Sequence, residues 1–245
     1  KRWPQCKVQA PLEGVFEAQA GFIHVERAIS GICALAQSAG AILRYPEKVT
    51  AIDLAQTVTV RTDRGVYEAS RLVVTAGAWM QAMLPQLQMK LQIQKAPVFW
   101  LKPLERDRQL PCFAFTDHGR FIYGFPSLGE GIKIAEYAST EILLKAEDKP
   151  QQATDAEWEK VRQGVHAYFA EGDKLRLMKT GVCMYTMTKD ENFLIDFLPG
   201  YSNLVVGGGG SGHAFKFSPF IGEELANMIQ GKKSEFDLSF LRHRV

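Results

Sequence analysis

The sequence predicts a mixed α/β protein, and three observations carry this prediction. Short apolar runs with the alternation of β-strands recur along the chain, fewer segments show helical spacing, and a glycine-rich loop joins a strand to a helix near the C-terminus. Hydrophobic residues make up 46% of the 245 residues, which is enough to bury a sizeable core and excludes a disordered chain. This length predicts one large domain or two small ones.

The first elements alternate between helix and strand. Apolar residues at helical spacing predict a helix over 26–39 that Gly40 ends. Short strands are then predicted over 41–43, 48–53, 57–62, 66–69 and 71–75, with a hairpin turn at 63–65. The last of these strands leads into Ala76 and Gly77 and a helix over 80–84, which is typical of a nucleotide-binding α/β domain.

The rest of the chain contains more β-structure than helix. Strands are predicted over 91–101, 113–115, 120–123, 131–137, 181–187, 193–196 and 203–206. Helices are predicted over 151–170 and near 219–230, and Thr154 with Glu157 forms a capping box at the start of the first. The sequence therefore predicts a large, mostly antiparallel sheet flanked by helices.

Charge, hydropathy and cysteine content exclude several function classes. A net charge of +2 lacks the basic excess of a nucleic-acid-binding protein, and no apolar run approaches the roughly 18–20 residues of a membrane helix. The four cysteines, Cys6, Cys33, Cys112 and Cys183, form no closely spaced pair. We therefore expect no disulfide scaffold, no metal site and a reducing, cytoplasmic location.

The glycine-rich loop is the strongest local signal for a ligand. Gly207, Gly209 and Gly212 match the spacing G-x-G-x-x-G after a predicted strand and before a predicted helix. A dinucleotide-binding fingerprint also needs a second strand with an acidic residue about 20 residues further on, whereas 234–245 shows no clear strand. We therefore interpret the loop as a backbone cradle for another part of a cofactor, with simple close packing as the alternative.

Three further patterns are open to more than one interpretation. Cys183 lies on a predicted strand, where a cysteine usually serves as a small core residue. Lys133 alternates with Ile132 and Ile134 and so points away from the apolar face, towards solvent or towards a cofactor. Trp79 and Trp100 could likewise line an aromatic pocket or pack in the core.

Taken in order, several segments resemble the monomeric sarcosine oxidase and N-methyltryptophan oxidase family of FAD-dependent amine oxidases. The resemblance extends from about Pro11 onward, and the Cys-Met-Tyr-Thr and Ser-Gly-His-x-Phe-Lys-Phe segments are its most specific parts. The segments that carry it are 123–126, 132–134, 183–186, 190–196, 210–217 and 231–238.

The resemblance implies a role for each matching residue. Cys183 would carry FAD covalently through a thioether, and Lys133 would activate dioxygen by its charge. Tyr123, Tyr185 and Lys216 would line the substrate site, with Lys216 holding the substrate carboxylate. The remaining cofactor-binding residues would be Gly209, Gly210, Gly212 and His213 at the flavin, Val49 at the adenine, and Ala76 with Gly77.

The resemblance also implies a domain plan and an activity. A substrate domain (1–19 as a remnant, and 89–187) would alternate with an incomplete FAD-binding Rossmann-like domain (20–88 and 188–245). The implied reaction oxidises the secondary amine of an N-methyl amino acid, such as N-methyltryptophan or sarcosine, to an imine and reduces dioxygen to hydrogen peroxide. The implied partners are this small molecule and dioxygen, with neither nucleic acid nor membrane.

The sequence departs from the family in two places. Tyr137 stands four residues after Lys133, where the family has His, so the substrate preference is open. The family's first third, which holds the pyrophosphate fingerprint, has no counterpart, and the chain begins at Lys1 rather than Met. We therefore expect a missing N-terminal segment as a partner. The alternatives are a flavin-free remnant or interaction module, and an amino-acid oxidase that acts on primary amines.

Overall fold

A computed structural model describes residues 2–7, 13–87, 90–105, 110–137 and 141–242. Parts of two predictions, residues 8–12 of the N-terminal segment and the end of the tail at 243–245, lie outside the described residues. The chain forms two units. Unit 1 comprises residues 1–22 and 94–184, and unit 2 comprises 23–93 and 185–245. The assignment of substrate and FAD-binding roles to such segments stays a prediction.

The elements are numbered here in chain order. The helices are α1 (Val25–Ser38), α2 (Met80–Met83), α3 (Asp155–Tyr168) and α4 (Ser218–Ile229). The strands are β1 (Val49–Asp53), β2 (Val58–Thr62), β3 (Val66–Ala69), β4 (Leu72–Val74), β5 (Gln92–Lys102), β6 (Phe113–Asp117), β7 (Arg120–Phe125), β8 (Ile132–Glu136), β9 (Ile142–Leu143), β10 (Arg176–Met187), β11 (Leu194–Phe197) and β12 (Leu204–Gly208).

Unit 1 is built on a six-stranded sheet with the order β10-β5-β8-β7-β6, and β9 pairs with β5. The pairs β5–β8, β7–β8 and β6–β7 are antiparallel, as predicted. One face of this sheet packs against α3, where Phe99, Ile122 and Ile134 meet Val161 and Val165 in a buried cluster. Because side chains alternate along each strand, the remaining residues of these strands lie on the opposite face. We call this opposite side the open face.

The start of α3 confirms the predicted capping box. The Thr154 hydroxyl accepts a hydrogen bond from the Glu157 backbone N–H at 3.3 Å, and the Glu157 carboxylate accepts one from the Thr154 N–H at 2.7 Å. This reciprocal pair satisfies two of the backbone donors that a helix leaves unpaired at its N-terminus. It therefore fixes where α3 begins relative to the sheet beneath it.

Unit 2 contains two small sheets. In the sheet with the order β11-β12-β4, β12 is parallel to β4 and antiparallel to β11. Both faces of this sheet are covered: Met80 and Leu204 belong to one apolar cluster, and Val205 and Leu225 belong to the other. Burial on both faces explains why β12 is apolar at successive positions instead of alternating. The other sheet is the antiparallel meander β1-β2-β3.

The structure corrects three predicted boundaries. The strand predicted over 41–43 is wrong: these residues have no regular structure, and Ile42 is 78% exposed. An apolar run forms a strand only when a neighbouring strand receives its hydrogen bonds, and these residues have none. The helix predicted over 151–170 spans only 155–168, and the strand predicted from residue 181 begins at Arg176.

Helix α1 has the predicted spacing but an unexpected environment. None of its residues is buried, and Ile29, Ile32 and Leu35 are 49%, 51% and 71% exposed. Its apolar side is therefore not covered by the described residues of the chain. Among the described helices, none combines the length and apolarity that crossing a membrane requires.

Candidate functional site

The open face of unit 1 carries Lys133 and Tyr123. Lys133 on β8 is paired with Phe125 on β7 and with Trp100 on β5, so these three residues form a row across the sheet. Directly opposed residues of antiparallel strands project to the same face. Tyr123 lies two residues before Phe125 on β7 and therefore projects to this face as well. The fold thus brings together two of the predicted catalytic residues.

Cys183 also belongs to the open face. A Cβ atom built on Gly181 of β10 would lie 3.4 Å from the Trp100 ring, which places Gly181 on the side of the sheet that carries Trp100. Cys183 follows two residues later on the same strand and shares that side. Its thiol is free and exposed, whereas Cys6, Cys33 and Cys112 are half-buried. The core interpretation of Cys183 is therefore wrong.

Lys133 lies beside an aromatic ring and, within the described part of the chain, in no direct ion pair. Its side chain is half-buried, and among the described residues it forms no salt bridge. Its Nζ lies 5.5 Å from the centroid of the Trp100 ring. Lys179 approaches the same ring at 4.5 Å, but this second lysine also forms a 2.8 Å salt bridge with Glu130. The hydrogen bond from Lys179 lowers the pKa of the Glu130 carboxyl, with a smaller contribution from Lys133.

An aromatic strip follows β7 across the open face. The rings of Phe121, Tyr123 and Phe125 succeed one another at centroid distances of 6.1 and 6.2 Å. Tyr137 meets Phe121 edge-on at 6.2 Å, and Phe22 meets Phe125 at 6.3 Å. Phe121 is 41% exposed, so the strip offers an accessible apolar wall on which a planar substrate group can pack.

In unit 2, the predicted cofactor-binding segments meet at one edge of a sheet. Strands β4 and β12 are parallel neighbours, so the loops that follow them leave from the same edge. The first loop contains Ala76 and Gly77, and the second contains Gly209, Gly210 and Gly212. The edge beyond the carboxyl ends of parallel strands is where open α/β sheets bind ligands. The predicted cofactor-binding residues of these two loops therefore lie at the same edge of the sheet.

The second loop has the geometry of a backbone cradle. Gly209 and Gly212 have positive φ angles of 61° and 78°, and Ser211 between them has 45°. The Ser211 hydroxyl donates to the Gly209 carbonyl at 3.0 Å, and its backbone N–H donates to the Thr186 carbonyl at 3.0 Å, which fixes the loop. Among the described residues, the N–H groups of Gly210 and Gly212 donate to no backbone carbonyl. They are therefore available to an electron-rich ligand atom.

The polar side chains beside this cradle differ in exposure. His213 is half-buried, with its Nδ1 2.9 Å from the Ser211 carbonyl and its ring 4.9 Å from that of Phe193. Lys216 is exposed in a short 3₁₀ turn, with its Nζ 5.9 Å from the Phe217 ring. Tyr185 is half-buried near the end of β10. An exposed ammonium at Lys216 can bind a carboxylate with a charge-assisted hydrogen bond.

Val49 lines a cavity of about 400 Å³ in unit 2. The cavity lies along the edge strand β1, and Trp79 and Met83 form part of its wall. Trp79 is 42% exposed, so the core interpretation of this residue is wrong. A flat aromatic wall opposite an edge strand, which has free backbone hydrogen-bonding groups, suits a heteroaromatic ring.

The residues in the two units fit FAD. A Cβ atom at Gly210 would lie 3.0 Å from the Ala214 Cβ, so a side chain at this position would crowd the cradle, whereas glycine leaves its backbone accessible. An exposed thiol, an unpaired ammonium and a cavity for a heteroaromatic ring match the chemistry of a tethered flavin nucleotide. Within the described residues, no group of three His, Cys, Asp or Glu side chains could hold a metal ion.

Sequence reasoning missed the partners of Lys133. The described groups near its ammonium include Trp100, which lies 33 residues earlier in the chain on another strand. Only the register of β5 against β8 brings the two together. The available signal was an aromatic residue within an apolar strand, which core packing explains equally well.

Comparison with known proteins agrees with these features. A family model described as FAD dependent oxidoreductase matches residues 1–228. An N-methyl-L-tryptophan oxidase from Salmonella dublin is 34% identical over 98% of this chain, and one from Escherichia coli O81 is 33% identical over the same share. The chain spans 65% of the length of these relatives.

Solved structures share the fold. Glycine oxidase from Geobacillus kaustophilus superposes with a TM-score of 0.71 at 17% identity, covering 87% of this chain and 56% of that enzyme. Fructosyl amine oxidase (Amadoriase I) from Aspergillus fumigatus superposes with a TM-score of 0.76 at 22% identity, covering 91% and 55%. The family model, the relatives and the shared fold confirm the predicted fold class and the predicted resemblance. The chain belongs to the FAD dependent oxidoreductase family.

Proposed function

We propose that the protein to which this chain belongs oxidises the secondary amine of an N-methyl amino acid, with FAD as cofactor and dioxygen as acceptor. The observation that carries the proposal is the open face of unit 1, where the free, exposed thiol of Cys183 shares one side of a sheet with the ammonium of Lys133, which forms no salt bridge among the described residues. The names of the curated relatives support the choice of an N-methyl amino acid.

The reaction balances without a further reactant. One N-methyl amine, one dioxygen and one water give the free amine, formaldehyde and hydrogen peroxide, and two electrons and two protons pass from the amine to dioxygen. When bound, FAD would accept the hydride equivalent from the N-methyl carbon and return the electrons to dioxygen.

The residues of unit 1 would position the reactants. Cys183 would hold the flavin ring against the open face through a thioether to the 8α-carbon. Forming this bond would break the S–H bond and one C–H bond of the methyl group, with the two electrons and two protons taken up by the flavin and then by dioxygen. Lys133 would stabilise the negative charge that develops on dioxygen as it is reduced, because a fixed cation costs no reorganisation at the moment of reaction. Tyr123, within its aromatic strip, would pack against the substrate and exclude water from it.

The residues of unit 2 would bind the nucleotide and the substrate carboxylate. The cradle at Gly209, Gly210 and Gly212, with His213 beside it, would donate backbone hydrogen bonds to the cofactor. Lys216 would pair with the substrate carboxylate, and Tyr185 would line the substrate site. The cavity beside Val49 would take the adenine, and the turn at Ala76 and Gly77 would approach the same cofactor closely.

The proposal includes a segment that supplies the pyrophosphate site. The curated relatives are longer than this chain, and the glycine loop at 207–212 is followed by α4 and a tail without a second strand in the described residues. The uncovered apolar side of α1 offers a surface on which such a segment can pack.

Acid precipitation of the purified protein tests the covalent tether. We expect flavin absorbance to stay with the precipitated wild-type protein and to appear in the supernatant for Cys183→Ser. Cys112→Ser is the matched control, because Cys112 lies directly before β6 in the same unit, and its thiol is half-buried and has a pKa that burial raises. Flavin released equally from all three proteins would overturn the tether.

Turnover separates the proposed substrate from its alternatives. We expect hydrogen peroxide and formaldehyde from N-methyl amino acids. Peroxide from primary amino acids without formaldehyde would instead indicate a deaminating oxidase, which Tyr137 in place of the family histidine leaves open. A folded, colourless protein that produces no peroxide would identify a flavin-free remnant.

A further inference from the structure

Two lysines approach the ring of one tryptophan on the open face of unit 1, but among the described residues only one of them has a carboxylate partner. Trp100 lies between Lys133 and Lys179, whose Nζ atoms are 5.5 and 4.5 Å from the ring centroid. Lys179 is held by Glu130 at 2.8 Å, whereas Lys133 has no such partner among the described residues. The indole ring is therefore the group that Lys133 contacts across the strand pair.

We propose that Trp100 is a positioning residue that holds the Lys133 ammonium on the open face without neutralising its charge. This inference rests on the proposed function, in which Lys133 acts on dioxygen. A carboxylate in the place of the indole would also fix the lysine, but it would cancel much of the field that a developing anion needs. An aromatic face attracts the cation through its quadrupole and carries no net charge.

The fold explains why the ring occupies this position. Trp100 and Lys133 are directly opposed across β5 and β8, so their Cβ atoms are neighbours on one face. On the other side of β5, Gly181 faces the ring, because a Cβ there would lie in ordinary van der Waals contact with it at 3.4 Å.

Lys95 in the same unit differs from Lys133 in its partners, and this contrast supports the proposed role of Trp100. Lys95, which is 3% exposed, forms salt bridges with Glu157 at 2.7 Å and Glu141 at 2.9 Å. Unit 1 thus pairs its buried structural lysine with carboxylates and supports Lys133 with an aromatic ring. This is the arrangement expected when the charge of Lys133 acts on a bound reactant and not on another group of the folded chain.

Half-reaction kinetics on the holoenzyme test the role. We expect Trp100→Leu to reduce the rate constant for flavin reoxidation by dioxygen about 2- to 5-fold, the size of an exposed cation–π contact, and to leave flavin reduction by substrate unchanged. Trp100→Phe keeps an aromatic face and should lose less. Trp158→Phe is the matched control, because Trp158 packs on Phe99, which lies on the α3 side of the sheet.

A double-mutant cycle with Lys133→Met separates this inference from the proposed function. Lys133→Met should slow reoxidation strongly, and adding Trp100→Leu should then have no further effect. If Lys133→Met slows reoxidation but Trp100→Leu does not, the positioning role alone is overturned. If Lys133→Met has no effect, the assigned role of the lysine fails and the inference about Trp100 fails with it.

A spectroscopic measurement tests the contact without turnover. After ¹³C-dimethylation of lysines, the Lys133 and Lys179 signals can be assigned by their absence in the respective methionine variants. Both should be shifted by the indole ring current in the wild-type protein and in Trp158→Phe, and both should move towards the position of free dimethyl-lysine in Trp100→Leu. An unshifted Lys133 signal in the wild-type protein would overturn the inference.

Discussion

At the scale of single residues, charge compensation distinguishes structural lysines from the candidate catalytic one. Burial alone would lower the pKa of Lys95, but the hydrogen bonds to Glu157 and Glu141 outweigh it and raise the pKa. Burial likewise would raise the pKa of Glu157, but hydrogen bonds from Lys95 and Thr154 lower it. Both directions describe the same ion pair, which ties the start of α3 to β5.

This ion pair gives the stability of the protein a predictable dependence on pH. A carboxyl whose pKa is lowered by folding stabilises the protein above its unfolded pKa, and that contribution is lost as the pH falls through the folded pKa. We expect Glu157→Gln to lower the free energy of unfolding by about 1–3 kcal/mol at neutral pH. The difference from wild type should shrink below the ordinary pKa range of glutamate. Urea unfolding at a series of pH values measures both effects.

Glu159 on the same helix provides the control for this experiment. Its salt bridge with Arg162 is exposed, so Glu159→Gln should change the free energy of unfolding much less than Glu157→Gln does. A Glu157→Gln effect as small as that of Glu159→Gln, or one that does not depend on pH, would contradict the role of the buried pair.

At the scale of elements, the parallel pairing of β4 with β12 organises unit 2. This pairing sends two glycine-containing loops to one edge, although the loops are more than 120 residues apart in the chain. The cradle then depends on Gly209, which has a positive φ angle and whose missing Cβ would collide with the Thr188 methyl group. Thr188 cannot easily rotate away, because its hydroxyl donates to the Asn192 carbonyl at 2.6 Å.

Two glycine-to-alanine substitutions should therefore have opposite effects. Gly209→Ala should destabilise the protein by at least about 1–2 kcal/mol, because it adds left-handed backbone strain to the collision. Gly222→Ala should stabilise it by about 0.5–1 kcal/mol, because Gly222 lies inside α4 and a Cβ there would have no atom within 4 Å. Urea unfolding of both variants measures the two changes in the free energy of unfolding. Changes of the same sign would contradict this prediction.

At the scale of the whole molecule, each unit has its own apolar core. Phe99 and Ile122 belong to the core of unit 1, and Leu204 belongs to a core of unit 2. The chain passes from one unit to the other within β5 and β10. Separate cores allow separate local unfolding, since each cooperative unit loses its own buried contacts.

Hydrogen exchange on paired core variants measures this independence. Leu204→Ala should cost about 2–5 kcal/mol and reduce amide protection in β4, β11 and β12 while sparing β7 and β8. Ile122→Ala in unit 1 should produce the reverse pattern, since both side chains are fully buried. Equal loss of protection in both units for either variant would show that the two units unfold together.

Local patterns were sufficient for most elements and for the candidate residues. The alternation of β7 and β8 and the Thr154 capping box are set by neighbouring residues and were predicted correctly. The strand predicted over 41–43 was wrong for the opposite reason. A strand needs a neighbouring strand as a hydrogen-bonding partner, and the local sequence does not identify one. The sequence did not decide whether Cys183 and Trp79 lie in the core or at the surface. The exposure of both side chains in the structure decides this.

The sequence by itself determined the family resemblance, the candidate cofactor residues and the sides of each strand, because side-chain alternation and loop chemistry are local properties. Only the tertiary structure decided which strands are neighbours. Strand order put Trp100 opposite Lys133, placed both predicted cofactor loops of unit 2 at one sheet edge, and left the thiol of Cys183 exposed. These facts depend on register between segments distant in the chain, and register is fixed by the burial of whole faces.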